Sequence, residues 1–327
     1  MTTEKKRVLI SDPIHPDAVR RLVEADFDVT ELLDNERSTL PGRIGPYHAV
    51  ICRTSTTLDA STLALAKNLF CIAIASTGYD RIDIEEASRR NIAVLGLPSH
   101  NKGIDPERDG NFVSTAEHAV LLILAALGDF YHAHQSMKEG RWDKKYLVGH
   151  ELAHKTVGFV GFGRIATLVA RRLKPFHAKM IAYDGFVSRE QAAQEGVELV
   201  TLDKLCTQSD VITIHIPKTS ETAGMLGERE FSLMKDGVFI INTARAAVMD
   251  EKAFIAALKN GKIKRAALDV FHDEPYGLNW DLVRMPNVIA TPHIGGSTHE
   301  AWRRISLSAV DNIIAFFKGT VQNKINE

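Results

Sequence analysis

The chain has 327 residues, 45% of them hydrophobic and 25% charged, which is typical of a globular protein long enough for two domains. Its formal net charge of −1 provides no electrostatic basis for binding a nucleic acid or an anionic membrane. The sequence begins without a signal-peptide pattern, and its longest apolar run, residues 119–127, is too short to cross a bilayer, so the prediction is a cytoplasmic protein.

In the first third of the chain, apolar segments alternate with segments of helical periodicity. The predicted strands are residues 7–11, 29–33, 48–53, 70–75 and 92–95, and the predicted helices are residues 16–25, 58–66 and 82–90. This alternation predicts a parallel sheet that is covered by helices on both faces. A polar segment, residues 99–111, then interrupts the pattern and predicts a long loop or hinge.

The middle of the chain has a helical pattern from residue 114, followed by a mixed segment over residues 129–154. Tyr131, Trp142 and Tyr146 stand among many charged residues in that segment. Large aromatic side chains in such a polar setting suggest an arm or an interface.

Neither the cysteines nor the histidines predict a metal site. Cys52, Cys71 and Cys206 lie far apart in apolar segments, which predicts buried free thiols in a reducing compartment. The four histidines between residues 132 and 154 have no cluster of carboxylates or cysteines beside them.

From residue 156 the alternation of strands and helices resumes. The predicted strands are residues 156–161, 180–184, 211–216, 238–242, 266–270 and 288–290, and an amphipathic helix, residues 301–317, ends the pattern. Six strands with a glycine turn after the first are typical of a dinucleotide-binding sheet.

The glycine turn has the pattern Gly161-x-Gly163-x-x-Ala166, placed between a strand and an amphipathic helix. Gly161 allows the tight turn, Gly163 allows a pyrophosphate to approach the backbone, and the small Ala166 allows close packing of helix on strand. The helix N-terminus then offers amide donors and a positive dipole end. Asp184 ends the next strand, about 20 residues beyond the turn, where a carboxylate accepts hydrogen bonds from an adenosine ribose. A 2′-phosphate would be repelled there, so NAD is predicted rather than NADP.

Polar residues follow several of the predicted strands. They are His215 to Pro217, Asn242 to Arg245, Asp269 with Glu274, and Thr291 to Gly296. Because ligands of open α/β sheets bind outside the carboxyl ends of the strands, these residues are the candidates for binding and catalysis.

Three of these segments carry a family resemblance. Asn-Thr-Ala-Arg at 242–245, Asp-Val-Phe-His-Asp-Glu-Pro at 269–275 and Thr-Pro-His-Ile-Gly-Gly-Ser-Thr at 291–298 resemble the signatures of the D-isomer-specific 2-hydroxyacid dehydrogenases. Residues 75–83 resemble that family's substrate loop, and residues 115–118 resemble the start of its interdomain helix. The resemblance covers essentially the whole chain and extends to the phosphoglycerate dehydrogenases and the glyoxylate and hydroxypyruvate reductases.

The resemblance implies an α/β protein with two Rossmann-like or flavodoxin-like domains, each built on a parallel sheet. Residues 1–111 and 297–327 would form a discontinuous substrate-binding (catalytic) domain, and residues 112–296 an NAD-binding domain. The active site would lie in the interdomain cleft of a homodimer that closes on its ligands, a small 2-oxo or 2-hydroxy acid and NAD.

The residue types suit the reaction that the resemblance implies. The planar guanidinium of arginine pairs with a carboxylate, so Arg245 would bind the substrate. Histidine exchanges a proton near neutral pH, so His293 would be the acid/base, oriented by Glu274 as its partner. Thr77 and Gly78 would offer backbone amides to the substrate carboxylate. The residues implied for NAD binding are Gly161, Gly163, Arg164, Ile165, Asp184, His215, Pro217, Thr222, Thr243, Ala244, Asp269, His293 and Gly296.

Two other functions remain open from the sequence. One is an NAD(H)-sensing binding protein like the corepressors that share this fold, and the other is a relative acting on formate or phosphite. The physiological hydroxy acid is not determined either, since the candidate substrates differ by small groups that only pocket shape distinguishes. The chain also departs from the family pattern at Ala246 and Ala247, where glycine is common, at His272, where an acid is common, and in the length of segment 99–111.

Overall fold

The computed structural model describes residues 5–32, 34–97, 105, 111–274, 277–321 and 323–326. Most of the predicted 99–111 loop, and Pro275 of the second signature, lie outside these residues. The chain divides into two compact units, Met1–Asn111 with Gly296–Glu327, and Phe112–Gly295. The predicted α/β class with two parallel sheets is confirmed.

The strands and helices are numbered in chain order. The strands are β1 (Arg7–Ile10), β2 (Asp28–Glu31), β3 (Ala49–Cys52), β4 (Cys71–Ile74), β5 (Ala93–Leu95), β6 (Thr156–Val160), β7 (Lys179–Tyr183), β8 (Glu198–Leu199), β9 (Val211–Ile214), β10 (Val238–Asn242), β11 (Ile263–Leu268) and β12 (Val288–Ala290). The helices are α1 (Pro16–Glu24), α2 (Leu40–Arg43), α3 (Ala60–Leu65), α4 (Ile84–Arg89), α5 (Phe112–Leu127), α6 (Phe130–Lys138), α7 (Arg164–Leu173), α8 (Arg189–Gln194), α9 (Leu202–Gln208), α10 (Glu228–Leu233), α11 (Glu251–Lys259), α12 (Trp280–Val283) and α13 (His299–Phe317). Short 3₁₀ segments include Asp34–Thr39, Lys174–Phe176 and Ala246–Val248.

The first unit contains a five-stranded parallel sheet with the order β2-β1-β3-β4-β5, the flavodoxin-like order. Alternate side chains of its central strands point to opposite faces. On β4, Ile72 and Ile74 pack in the core cluster that includes helices α2 and α3. Cys71 and Ala73 pack in the opposite cluster with α1 and α13. Both faces are therefore covered, which explains why the strands are continuous apolar runs.

The second unit contains a seven-stranded parallel sheet with the order β12-β11-β10-β9-β6-β7-β8. Its strand order reverses between β6 and β9, which creates the switch point where dinucleotides bind in such sheets. The prediction of six strands was wrong by one, because β8 has only two residues and lies at the sheet edge. So short an edge strand leaves no apolar run in the sequence.

Helix α5 is apolar on most of its surface because it packs on several elements at once. Its buried side chains include Ala116, Ala119 and Ile123, and it lies against β10, β11 and α7. Among the described residues no single helix is long and apolar enough to cross a membrane, although α5 and α6 together, bent by 70°, meet that test by length and composition.

The three cysteines are buried and free, as predicted. Burial raises the pKa of all three thiols, that of Cys206 to about 12. None is therefore a thiolate at neutral pH, which is the form that reacts or binds a metal.

Candidate active site

The turn after β6 requires glycine at its first position. Gly161 has φ +88°, and a Cβ at this position would lie 2.3 Å from Cγ2 of Ile216. Gly163 is the N-cap of α7 and makes no side-chain cap, and a Cβ there would meet nothing within 4 Å. The N-terminus of α7 thus has no side-chain cap from Gly163 and open space beside that residue, an arrangement that suits a phosphate. Arg164 follows at the surface, with its guanidinium 5.4 Å from the centre of the Phe112 ring.

Asp184, at the end of β7, ties the glycine turn to the neighbouring strand. Its Oδ2 accepts a hydrogen bond from the Phe162 amide at 2.8 Å, and its Oδ1 accepts from the amides of Phe186 and Val187 at 2.7 and 3.0 Å. A carboxylate has about four lone-pair sites, so three amides leave capacity for a ribose hydroxyl. Asp184 therefore has a structural role in addition to the predicted ribose contact.

The segment after β9 is held by its own hydrogen bonds. The His215 amide donates to Val160 O at 2.8 Å, and His215 Nε2 lies 2.9 Å from Thr213 Oγ1. Burial lowers the pKa of His215 to about 3, so its ring is neutral at working pH. Thr222 Oγ1 donates to Pro217 O at 2.7 Å, which fixes the segment in which both residues were predicted to contact NAD.

Arg245 follows β10 in a turn that Asn242 organises. The buried Asn242 side chain accepts from the Ala244 amide at 3.0 Å and donates to Arg245 O at 3.0 Å. Arg245 Nη1 in turn donates to Ala244 O at 2.7 Å. Among the described residues, no hydrogen-bond partner is found for the buried Oγ1 of Thr243. From the sequence, Arg245 was expected to bind the substrate, and Asn242 was among the strand-end candidates without a specific role; a buried amide at a strand end signals the turn-forming role that it has here.

The two residues after Arg245, where the family pattern commonly has glycine, fit as alanines. Neither Ala246 nor Ala247 has a positive φ. Ala246 is buried and begins the 3₁₀ segment Ala246–Val248. A Cβ is therefore compatible with the backbone here.

Glu274 and His293 form a close polar pair. Nδ1 of His293 lies 2.6 Å from Oε2 of Glu274, and the two side chains are 29% and 20% exposed. The other carboxylate oxygen, Oε1, accepts from the Phe271 amide at 2.5 Å. His293 has φ +54°, an uncommon backbone conformation that turns the chain directly after β12. Because Nδ1 donates to the carboxylate, Nε2 is the ring nitrogen left for proton exchange.

Asp269 is the most buried carboxylate of the site, at 1% exposure. Its Oδ1 accepts from Thr291 Oγ1 at 2.6 Å and from the Ile294 amide at 2.9 Å, and its Oδ2 accepts from the Gly295 amide at 2.8 Å. Burial alone would raise the pKa of Asp269, but hydrogen bonds, from His118 first, outweigh it and leave the pKa below its usual value. Asp269 is therefore an anion at working pH, and it holds the segment that carries His293.

The predicted residues of the second unit follow strands that are adjacent in the sheet. β9, β10, β11 and β12 are consecutive neighbours and all run parallel. Their carboxyl ends lie at one edge of the sheet, so His215, Arg245, Asp269 and His293 follow the same edge.

Three predicted residues belong to the first unit. Thr77 and Gly78 follow β4, where Ser76 Oγ donates to Gly78 O at 2.7 Å and Thr77 Oγ1 is hydrogen-bonded to Asn111 Oδ1. Gly296 begins the segment that leads to α13, where a Cβ would lie 2.5 Å from Nδ2 of Asn111.

The described residues contain no group of three or more histidine, cysteine, aspartate or glutamate side chains placed to hold a metal ion. His132, one of the histidines weighed for such a site, has its Nδ1 2.6 Å from Oδ1 of Asp129. The same carboxylate oxygen lies 2.7 Å from Nη2 of Arg265, so this group is an ion-pair network.

Comparison with known proteins gives three informative relatives. D-3-phosphoglycerate dehydrogenase of Archaeoglobus fulgidus is 40% identical over 321 residues, which are 98% of this chain and 59% of that protein. D-lactate dehydrogenase of Aquifex aeolicus, solved with NAD and lactic acid, has a TM-score of 0.80 at 30% identity, covering 96% of each chain. NAD-dependent formate dehydrogenase of Staphylococcus aureus, solved with NAD, has a TM-score of 0.85 at 29% identity, covering 98% of this chain and 99% of that one.

The match to a family model shows which family the chain belongs to. The chain spans about three fifths of the length of the phosphoglycerate dehydrogenases that it matches. Residues 120–295 match the NAD-binding domain of the D-isomer specific 2-hydroxyacid dehydrogenases, and these residues include the glycine turn, Arg245, Glu274 and His293. On this match, and on the 30% identity over 96% of a D-lactate dehydrogenase, the chain belongs to the D-isomer specific 2-hydroxyacid dehydrogenase family.

Proposed function

We propose that this protein is an NAD-dependent oxidoreductase that interconverts a D-2-hydroxy acid and its 2-oxo acid. The observation that carries the proposal is the His293–Glu274 pair, 2.6 Å apart at the sheet edge that Arg245 also follows. A cation for a carboxylate and an oriented imidazole are the groups that a carbonyl reduction requires from the protein. The match to an NAD-binding domain supports the cofactor.

In the direction of reduction, the protein's residues bind the acid and supply a proton. Arg245 pairs with the carboxylate and carbonyl oxygens of the 2-oxo acid, and Thr77 and Gly78 offer backbone amides to the carboxylate. His293, protonated and stabilised by Glu274, gives its Nε2 proton to the carbonyl oxygen as that oxygen gains charge. In the reverse direction the neutral ring takes the hydroxyl proton.

The chain's residues fit NAD at the glycine turn and at the strand ends. The α7 amides around Gly163 would hold the pyrophosphate, Asp184 the adenosine ribose, and Asp269 the nicotinamide carboxamide. Ile165, Pro217 and Ala244 would line the remaining surface of the cofactor. When bound, NAD supplies or accepts the hydride, and the protein only positions it.

The negative charge of Asp184 is expected to give a preference for NADH over NADPH. Juxtaposed like charges cost several kcal/mol, so kcat/KM with NADH should exceed that with NADPH at least roughly 100-fold. Asp184→Asn should lower the ratio of kcat/KM with NADH to kcat/KM with NADPH, because the neutral amide no longer repels a 2′-phosphate. Steady-state kinetics with both cofactors measure the ratio, and a higher kcat/KM of the wild type with NADPH would contradict the prediction. Since Asp184 also accepts from the Phe162 amide, the Tm of the variant must be measured alongside.

A homodimer is the second part of the proposal, and the aromatic segment, residues 130–148, supports it. Phe130, Trp142 and Tyr146 in this segment are 64%, 78% and 73% exposed. Exposed large aromatic side chains in one short stretch are typical of an association surface, and two-fold dimers are the commonest homo-oligomers.

We expect the wild type to have twice the chain mass of 36.2 kDa by light scattering coupled to size exclusion. Trp142→Glu with Tyr146→Glu should shift the mass towards the monomer, because charge is unfavourable in the core of an interface. Phe186→Glu is the matched control, since Phe186 is fully exposed outside the aromatic segment. A monomeric wild type, or a dimer that the double variant leaves intact, contradicts the assignment.

The decisive experiment for the function is a substrate panel. The pure protein with NADH is assayed against phosphohydroxypyruvate, hydroxypyruvate, glyoxylate and pyruvate, and with NAD⁺ against formate and phosphite. The relatives named D-3-phosphoglycerate dehydrogenase make the phosphorylated acid the first to test. Turnover of formate or phosphite alone supports that rival reaction, and NADH binding without any turnover supports a nucleotide-sensing protein.

A further inference from the structure

His118 lies on α5, and its ring contacts Asp269 and Thr291 in the segments that follow β11 and β12, the segments that also carry Glu274 and His293. Its Nε2 lies 3.0 Å from Thr291 Oγ1 and 3.3 Å from Asp269 Oδ1. The side chain is only 10% exposed and Asp269 is 1% exposed, so solvent screens these contacts little. The sequence placed His118 only at the start of a helix.

The hydrogen-bond pattern determines which ring nitrogen carries a proton. Thr291 Oγ1 donates its single hydrogen to Asp269 Oδ1 at 2.6 Å. The hydroxyl oxygen can therefore only accept from His118, so Nε2 is the protonated nitrogen and shares its hydrogen with Asp269. His118 is the first donor of a three-residue chain that passes through Thr291 and ends on the buried carboxylate of Asp269.

This chain of contacts reaches His293 through the backbone. Asp269 accepts from the amides of Ile294 and Gly295, the two residues that directly follow His293. Thr291 O accepts from the His293 amide at 3.0 Å, so His293 is held on both sides. The space is tight, because a Cβ on Gly295 would lie 3.1 Å from Asp269 Oδ2 and 3.7 Å from His118 Cδ2.

We propose that His118 is a positioning residue for the reaction. Through Thr291 and Asp269 it fixes segment 291–295, and with it the left-handed backbone of His293 and the buried anion of Asp269. The inference rests on the proposed function for its kinetic consequences, but the contacts themselves are independent of the substrate. Loss of the His118 contacts should therefore lower kcat and the affinity for NADH, which Asp269 helps to bind. Arg245, in contrast, binds the substrate carboxylate.

The test compares His118→Leu, which cannot donate, with His118→Gln, whose amide can. A hydrogen bond to a charged group accounts for roughly 10- to 100-fold in an equilibrium or rate, so His118→Leu should lose that factor in kcat/KM, mainly in kcat. NADH should also bind more weakly, while KM for the 2-oxo acid changes little. His118→Gln should recover most of the loss. Glu117→Gln is the matched control, because Glu117 is its neighbour on α5 and is 59% exposed.

Thr291→Val completes a double-mutant cycle with His118→Leu. If His118 acts through Thr291, the double variant should lose little more than Thr291→Val alone, in NADH affinity as in kcat. Additive losses overturn the proposal, as does a His118→Leu enzyme with a lowered Tm but unchanged kcat and NADH affinity. If the wild type reduces no 2-oxo acid, the proposed function fails, while the cycle measured by NADH titration still tests His118.

Discussion

Replacing His293 with asparagine is expected to reduce kcat/KM for 2-oxo acid reduction by about 10²- to 10⁴-fold, the usual contribution of a general acid. An amide cannot deliver a proton to the carbonyl oxygen as it gains charge. NADH should still bind, because the glycine turn and Asp184 do not depend on this ring. Stopped-flow or steady-state kinetics measure the first effect, and a fluorescence titration of NADH measures the second.

The backbone at His293 decides which variant tests this prediction cleanly. His293 has φ +54°, a conformation that asparagine tolerates and alanine does not favour. His293→Ala should also abolish turnover, but it adds backbone strain at the segment held by Asp269. Agreement between the two variants assigns the loss to the imidazole. Near-normal reduction of every accepted acid by His293→Asn would remove His293 from the mechanism.

Replacing Arg245 with alanine is expected to cost about 2–5 kcal/mol of transition-state binding, which is roughly thirty- to several-thousand-fold in kcat/KM. The loss arises because the substrate carboxylate would be left in the site without its cation. It should fall mainly on KM for the acid, in contrast to the kcat loss expected for His293→Asn. Steady-state kinetics at saturating NADH separate the two parameters.

Arg245→Lys is the matched variant for this prediction. It keeps the charge but loses the planar fork, so it should recover only part of the activity. The fold should persist in both variants, since the turn is organised by the Asn242 side chain and the Arg245 carbonyl, which these changes retain. An Arg245→Ala enzyme with an unchanged KM for the acid would contradict the carboxylate-binding role.

Local patterns predicted most of the fold. The apolar runs at β3, β4 and β10 are buried along their whole length, so no polar alternation obscures them. Gly161 and Gly163 were predicted at their strand-to-helix turn, because a glycine pattern between a strand and a helix is a contiguous signal. Elements with few buried residues were missed. β8 has two residues at the sheet edge, and α6 buries only Ser136.

Within the site, the sequence predicted which residues take part in the chemistry better than it predicted which side chains contact one another. Arg245, Glu274 and His293 stood out because each follows a strand in a recognisable signature. Asn242 was only one of several strand-end candidates and His118 only part of a helix start, because the roles of both are hydrogen bonds made in the folded chain. His118 and Thr291 are separated by 173 positions, a pairing that no local pattern encodes.

The sequence by itself determined the alternation of strands and helices, the glycine turn and the chemical types available at the strand ends. These follow from periodicity and from residue chemistry, which are properties of short contiguous segments. Only the tertiary structure decided that Asp184 braces the glycine turn, that Nδ1 is the ring nitrogen through which His293 pairs with Glu274, and that His118 and Thr291 converge on Asp269. Such partners are chosen by strand order and helix packing, which bring together side chains that lie far apart along the chain.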